Sequence, residues 1–318
     1  MRVCILFNKV EEKDEPDKFG VKDEVSFVKE TLDQLKIENF LLEIDDKSYE
    51  WIDFLKKREF DVVINLCEEF GGKGEGEGYV ASFLEILKIP YTGSPPISLL
   101  ICLDKILAKD IVSKNGILTP EYFFPFSFPE GSPIGYPVII KPNKQDASKG
   151  IFKENVVYSD KDYKKILNKM KKNFKNLFAE KFIDGREFNV AIFDDKVIGI
   201  GEVLFKIEPK VVTYKAKWEK GSEEDIGTET IYPANLKGVE KRKIENLSLI
   251  IYKLLKMRDY ARIDFRMDKK GKIYFIDANP NPDISKNSGF YKALNYAGIP
   301  YNFFIKKIIE NALRRKNA

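Results

Sequence analysis

Apolar and polar positions change period along the chain, and the changes mark out its elements. Residues 2–7 are a short apolar run rich in β-branched side chains, which predicts a buried strand. Residues 8–22 are charged. Residues 23–36 then repeat at helical spacing, with Val25, Val28, Leu32 and Leu35 on one face. A second strand over 40–44, a second helix over 49–57 and a third strand over 61–66 follow. This alternation predicts a parallel sheet with right-handed crossovers, ending near the turn-rich segment 90–96. A helix then runs from 103 to Asn115-Gly116, where glycine supplies a C-cap. Strands are expected over 136–142 and 151–158, a helix over 160–172 and a strand from 177 to 183. Residues 189–193, 197–204 and 211–214 read as strands of an antiparallel sheet, and 222–232 as a polar loop. An amphipathic helix over 240–256, a hairpin, and closing helices over 290–297 and 303–312 complete the chain.

The hairpin carries the first chemistry. Its strands, 261–267 and 272–278, flank Asp268-Lys269-Lys270-Gly271, where glycine takes the positive φ of a tight turn. Closing it there pairs residues whose numbers sum to about 541, within one register step. Asp264 then faces Asp277 and Arg262 faces Asn279, while Ile263, Phe265, Ile276 and Ala278 form an apolar opposite face. Like charges set opposite each other are destabilising. Either the pair is accidental on a solvated face, or a divalent cation resolves it, since Mg²⁺ takes carboxylate and amide oxygens shared with substrate phosphates.

Composition narrows the chemistry. A chain of 318 residues predicts two or three domains. The net charge of +4 is small and its lysines and arginines are scattered, which argues against a nucleic-acid partner but leaves an anionic substrate open. No secretory leader and no membrane-spanning apolar run stand in the sequence, and Cys4, Cys67 and Cys102 are an odd count, so reduced thiols in a cytoplasm are expected. The absence of histidine excludes Ser-His-Asp and Cys-His catalysis and histidine metal ligation. What remains is carboxylates, lysine, arginine, backbone amides and oxygen-ligated metal.

Two glycine-bearing segments stay open on the residues alone. Gly71 to Gly78 follows the third strand and alternates with glutamate, which argues against a dinucleotide fingerprint and favours a surface loop or a substrate-cleft loop. The loop 143–150 is not a P-loop, because no Gly-Lys-Ser/Thr opens a helix; it is a flexible hairpin or a lid over phosphates. Lys105, on its own, is a solvated helix charge.

Several motifs together resemble one family. They are Arg262-x-Asp264 with Asp277-x-Asn279-x-x-Pro282; Leu177-Phe-Ala-Glu-Lys-Phe-Ile-Asp-Gly-Arg-Glu-Phe188; Asp104-Lys105; the Lys141-Pro142 strand; and Asn65 to Glu68 with Ile89 to Ser94. The chain resembles the ATP-grasp carboxylate–amine ligases over nearly its whole length, and most closely the D-alanine–D-alanine ligases. The resemblance implies an α/β protein with α+β subdomains: an N-terminal Rossmann-like parallel-sheet substrate domain (1–96), a central ATP-grasp subdomain (97–183) and a C-terminal one (184–318). It implies ATP between the last two sheets, an acyl phosphate made from a carboxylate, and attack on it by an amine. Asp264, Asp277 and Asn279 would hold two Mg²⁺ ions, or Mn²⁺ in their place, and Arg262 would stabilise the oxyanion. Lys105, Lys141 and Lys217 would meet the phosphates, and Ser148 would sit on the lid. Glu180, Lys181, Phe182 and Ile183 would border the adenine and Glu187 the ribose. The substrates implied are an amino-acid-like acid and amine, and a homodimer is expected.

The substrate side departs from the family pattern. The Glu24-Val25-Ser26 run is present, but the acid expected before it is Lys22, with Asp23 adjacent. The two lid serines are Ala147-Ser148, the tyrosine after the active-site lysine is Trp218, and Pro-Gly is Pro282-Asp283. With Ser288, the residues Lys22, Asp23, Trp218 and Asp283 are the substrate candidates. A ligase of a different acid–amine pair is therefore expected, with Asp283 facing a cationic group. The alternatives are an authentic D-alanine–D-alanine ligase, a nucleotide-binding regulator without turnover and a small-molecule kinase.

Overall fold

A computed structural model describes residues 1–11 and 16–316, so positions 12–15 of the charged segment lie outside the described residues. The first unit alternates β1 (Arg2–Asn8), α1 (Gly20–Gln34), β2 (Glu38–Ile44), α2 (Glu50–Lys57), β3 (Val62–Asn65) and α3 (Glu75–Ile86). Its strands are parallel in the order β2-β1-β3. Such a sheet must be covered on both faces. One face packs Cys4, Leu6 and Val63 against Trp51, Leu55 and Leu84. The other packs Val3, Ile5 and Ile64, with Val25, Val28 and Leu32, against the C-terminal residues Phe290, Leu294, Phe304 and Ile308. Start and end of the chain share one core.

Helix α3 corrects the expected Gly71 to Gly78 loop. Only Gly71 and Gly72 have positive φ, and Glu75 to Gly78 already form the first turn of the helix. A Cβ at Gly76 would meet the Phe70 backbone at 2.2 Å, and one at Gly78 would meet Leu100 at 2.6 Å. These two glycines serve close packing.

The expected helix from 103 is α5 (Lys105–Lys114), and an unexpected helix, α4 (Pro96–Leu103), precedes it, the two being broken at Asp104. The extended backbone of Asp104 ends α4, and its carboxylate accepts from Leu107 N to cap α5. Next comes the central unit: β4 (Tyr122–Phe123), β5 (Val138–Pro142), β6 (Val156–Val157), α6 (Asp160–Met170) and β7 (Leu177–Lys181), with strand order β4-β7-β5-β6. The strand expected over 151–158 shrinks to two residues because 153–155 turn as a 3₁₀ helix. Val138, Ile140, Leu177 and Ala179 face Tyr163, Ile166 and Met170 of α6. By alternation Ile139, Lys141 and Glu180 face the other way.

The last unit has β8 (Gly185–Phe193), β9 (Lys196–Phe205), α7 (Tyr214–Trp218), α8 (Glu223–Ile226), β10 (Thr228–Ile231), α9 (Gly238–Leu254), β11 (Tyr260–Asp268), β12 (Ile273–Asn279), α10 (Gly289–Tyr296) and α11 (Tyr301–Lys316). Its five strands run antiparallel in the order β10-β9-β8-β11-β12. Two expectations fail here. Residues 211–214 are not a strand, and the fifth strand comes from 228–231, inside the segment expected as a loop. Lys215 to Trp218 are helical rather than a loop, with Thr213 capping Ala216 N. Helix α9 packs behind the hairpin, where Ile244, Ile251 and Tyr252 meet Ile263, Phe265 and Phe275. None of the described helices is long and apolar enough to cross a membrane, and all three cysteines are buried free thiols.

Candidate active site

The cleft face of the hairpin is set by register. Arg262 pairs with Asn279 and Asp264 with Asp277, each summing to 541. Beyond Asp264 the pairing slips one step, to Phe265 with Phe275, leaving Ile276 in a bulge. The slip decides which way Asp277 points. Ile273 and Phe275 face the core behind the sheet, and strict alternation would send residue 277 after them. The bulge reverses the phase, so Ala278 takes the core face and Asp277 the cleft face. On the third strand, β8, Asn189 stands beside Asp264 and Glu187 beside Arg266.

These side chains are engaged with one another. Arg262 forks onto Asp264 through two hydrogen bonds of 2.9 Å, and Asn189 donates to the same carboxylate at 2.8 Å. The Arg262 guanidinium loses solvation in the cleft, yet Asp264 beside it holds its pKa above the ordinary value. Lys105 pairs with Asp277 at 2.8 Å and with Asp146 of the 143–150 loop at 3.2 Å. Burial alone would raise the Asp277 carboxyl; Lys105, with Lys109 and Lys141 behind it, holds it below the usual range. Asn279 accepts from the Asn281 amide at 2.9 Å.

The facing wall comes from the central sheet. Lys141 reaches Glu180 at 2.7 Å, and Lys109 of α5 reaches the same carboxylate at 3.1 Å. Glu180 is 1% exposed, and its side chain is turned to the two lysines. Lys181 donates to the Tyr136 carbonyl at 2.8 Å. Phe182 joins Ile139, Val156 and Val211 in a small apolar cluster on the cleft face of the sheet. Glu187 is forked by Arg266 at 2.8 and 3.0 Å, and Arg266 also donates to the Ile183 carbonyl at 2.8 Å and lies over the Phe182 ring. Arg266 thus ties the whole 182–187 segment to the hairpin.

The 143–150 loop is backbone-curved, with Ala147, Ser148 and Gly150 all at positive φ. Asn143 anchors its start, donating to Asp104 at 2.9 Å and accepting from Ile106 N at 3.1 Å. Trp218 reaches it from α7, its indole Nε1 donating to the Ala147 carbonyl at 3.0 Å. Half-buried Lys217 has its pKa lowered to about 8, first by desolvation and then by Arg262.

On the substrate side the candidates separate. Lys22 is exposed and lies over the Phe19 ring, and Asp23 is exposed next to it. Buried Glu24 instead reaches across to accept from Ile284 N at 2.9 Å, beside exposed Asp283. Ser288 is 8% exposed and caps α10, accepting from Tyr291 N. Sequence reasoning missed Arg266, Asn189 and Lys109. The cleft-face alternation of β8 and β11 signals the first two, while Lys109 reads only as a helix lysine.

A family model described as D-ala D-ala ligase C-terminus matches residues 129–310. A D-alanine–D-alanine ligase of Thermotoga maritima is 30% identical over 296 residues, covering 91% of this chain and 91% of that protein. One of Bacillus anthracis is 32% identical over 288 residues, covering 89% of each. The crystal structure of D-alanine–D-alanine ligase from Bacillus anthracis complexed with ATP superposes with a TM-score of 0.78 at 27% identity, over 100% of this chain and 98% of that one. With the family model lying over more than half of the sequence and relatives matching along nearly all of it, the chain belongs to the D-alanine–D-alanine ligase family and has its ATP-grasp fold.

Proposed function

We propose that this ATP-dependent ligase activates the carboxylate of an amino-acid-like substrate as an acyl phosphate and couples it to the amine of another. The observation that carries this is the cleft-face ladder: Asp264 opposite Asp277, Arg262 opposite Asn279, under Lys105, Lys141 and Lys217 from three further elements.

The donor set fits Mg²⁺. Among the described residues no three acids converge to hold a cation alone, whereas two carboxylates and an amide on paired strands suit an ion that shares phosphate oxygens. Bound there, the ion offsets charge on the transferring phosphoryl group. The protein's own groups do the rest. Lys105 and Lys141 hold the phosphates, the Phe182–Glu187 side takes the nucleoside, and the 143–150 loop keeps water out. Arg262 donates to the oxyanion formed when the amine attacks, a contribution of about 3–4 kcal/mol for one such donor.

For substrate we propose an acid–amine pair other than two D-alanines. Lys22, exposed and turned onto Phe19, holds the sequence position at which the family resemblance expects an acid for the first substrate's ammonium, and exposed Asp283 adds a carboxylate next to Ile284, which Glu24 reaches. A second reading, D-alanyl-D-alanine formation, is favoured by full-length similarity to enzymes of that name. The test is ADP release and amide formation by the purified protein with ATP, Mg²⁺ and paired D- and L-amino acids. Amide formation fastest with another pair supports the first reading, and fastest with D-alanine alone the second. ADP release without amide, or no turnover, overturns the ligase proposal.

A further inference from the structure

Lys109 lies on α5, one turn beyond Lys105, and is 1% exposed. A buried ammonium demands partners, and it has them on two different sheets. Its Nζ donates to the carbonyl of Ile276 at 2.7 Å and meets the Glu180 carboxylate at 3.1 Å, while lying 5.7 Å from the centre of the Phe275 ring. Ile276 is the bulge residue of β12, the one that turns Asp277 from the core to the cleft. Glu180 is the carboxylate that holds Lys141.

We infer that Lys109 is a positioning residue: one buried ammonium fixes both the bulge that aims Asp277 and the carboxylate that aims Lys141, so that metal ligand and phosphate-binding lysine are set against each other. The unpaired residue of a bulge falls out of the ladder, and Lys109 supplies a donor to its carbonyl. Glu180 between two lysines keeps Lys141 extended toward the cleft, and burial of the trio makes each geometry depend on the other two. The inference rests on the proposed roles of Asp277 and Lys141.

The experiment compares Lys109→Met, close in length and without the charge, with Val112→Ala, a core truncation on the same helix whose apolar side chain donates to neither Ile276 nor Glu180. For each, steady-state ADP release gives kcat, KM for ATP and the Mg²⁺ concentration for half-activity, and thermal unfolding gives the stability loss. Groups that orient metal ligands typically change affinity or activity by about 10–100-fold, so Lys109→Met should raise KM for ATP and the Mg²⁺ requirement at least about tenfold. Val112→Ala should lower the melting temperature and leave both unchanged. A Lys109→Met enzyme with wild-type KM for ATP and wild-type Mg²⁺ requirement overturns the inference, whatever its stability. If Lys109→Met does not fold, Lys109→Gln, whose amide still donates to one partner, is measured against the same criteria. Asp277→Asn in parallel separates the two levels. Turnover retained by Asp277→Asn removes the metal assignment itself; turnover lost there, with Lys109→Met and Lys109→Gln silent, removes only the positioning role.

Discussion

Replacing Trp218 by Phe tests how the 143–150 loop is held. The indole makes one hydrogen bond to it, Nε1 to the Ala147 carbonyl at 3.0 Å, and packs against the start of α1, where a Cβ on Gly20 would come within 3.3 Å of the ring. One residue of α7 thus touches both the loop and the N-terminal unit. Phenylalanine keeps an aromatic ring and loses the donor. A neutral hydrogen bond is worth about 0.5–1.5 kcal/mol net, so the equilibrium for loop opening should rise about 2- to 13-fold. The other ties, among them Lys105 to Asp146, Lys144 to Glu75 and the two Asn143 side-chain bonds, are untouched, so global stability should hardly move. Hydrogen exchange of peptides spanning 143–150, measured without nucleotide, should quicken by that factor while those over β8 and β11 keep their rates. Unchanged exchange across the loop in a folded Trp218→Phe protein would show that the indole bond does not hold it. With ATP and Mg²⁺ present the loop should slow in both proteins, by less in the variant.

Asp264→Asn and Asp277→Asn should each cut ADP release by more than about 100-fold, more than the loss of a group that only orients a metal ligand, with circular dichroism close to wild type and a lowered melting temperature because Arg262 or Lys105 loses its partner; near-native release from either at saturating Mg²⁺ removes it from the metal site. Lys217 gives a pH prediction with a definite sign. Its ammonium is lowered from 10.5 to about 8 in the folded, ligand-free protein, so ATP affinity should weaken as pH rises through about 8, and Lys217→Arg should abolish that limb because guanidinium stays charged. Between about 8 and 10.5 the unfolded chain binds the extra proton, so this residue's contribution to stability increases with pH over that window. Titration of nucleotide binding from neutral to alkaline pH checks the first, and denaturant melts check the second.

Where local pattern decides structure, the sequence was readable. The β1–α1–β2–α2–β3 alternation, the closing hairpin and the opposition of Asp264 and Asp277 follow from periodicity and one turn glycine, Gly271 at φ +77°. Errors fall where tertiary contact overrides pattern. Gly76 and Gly78 look like loop glycines because glycine packing beneath Phe70 and Leu100 leaves no trace in a window of neighbours. Strand β10 is polar because it is an edge strand paired only with β9, so its burial signal is weak. The pairing of Glu180 with Lys109 was not legible in the sequence, since the two stand 71 positions apart and are adjacent only in the fold. The bulge at Ile276 was within the one-step uncertainty of the register, and that step decides which residues face the cleft.

The charge arrangement of the cleft has its own logic. Arg262 with Asp264, Lys105 with Asp277, and Lys141 with Glu180 stand paired in a partly desolvated crevice, with Asp146 also on Lys105 and Lys109 also on Glu180. A pair of this kind contributes little net stability, because the loss of hydration nearly cancels the attraction, but baring one member costs about 3–5 kcal/mol. Such a site tolerates exchange of partners and resists removal of them. Under the proposed chemistry, a nucleotide–metal complex brings anionic phosphates and a cation together, so Lys105 can pass from Asp277 to phosphate as the cation takes its place on the carboxylate. Neither group is bared, and the cost of opening the pair is avoided. Phosphate alone, without the cation, would leave Asp277 without Lys105, and the cation alone would leave Lys105 with only Asp146 of the loop. The pairing therefore favours joint entry of the two, and predicts that ATP should bind this protein far more weakly in EDTA than in Mg²⁺. By the same logic Glu180 does not exchange: held by both Lys109 and Lys141, it retains a partner when Lys141 turns to phosphate.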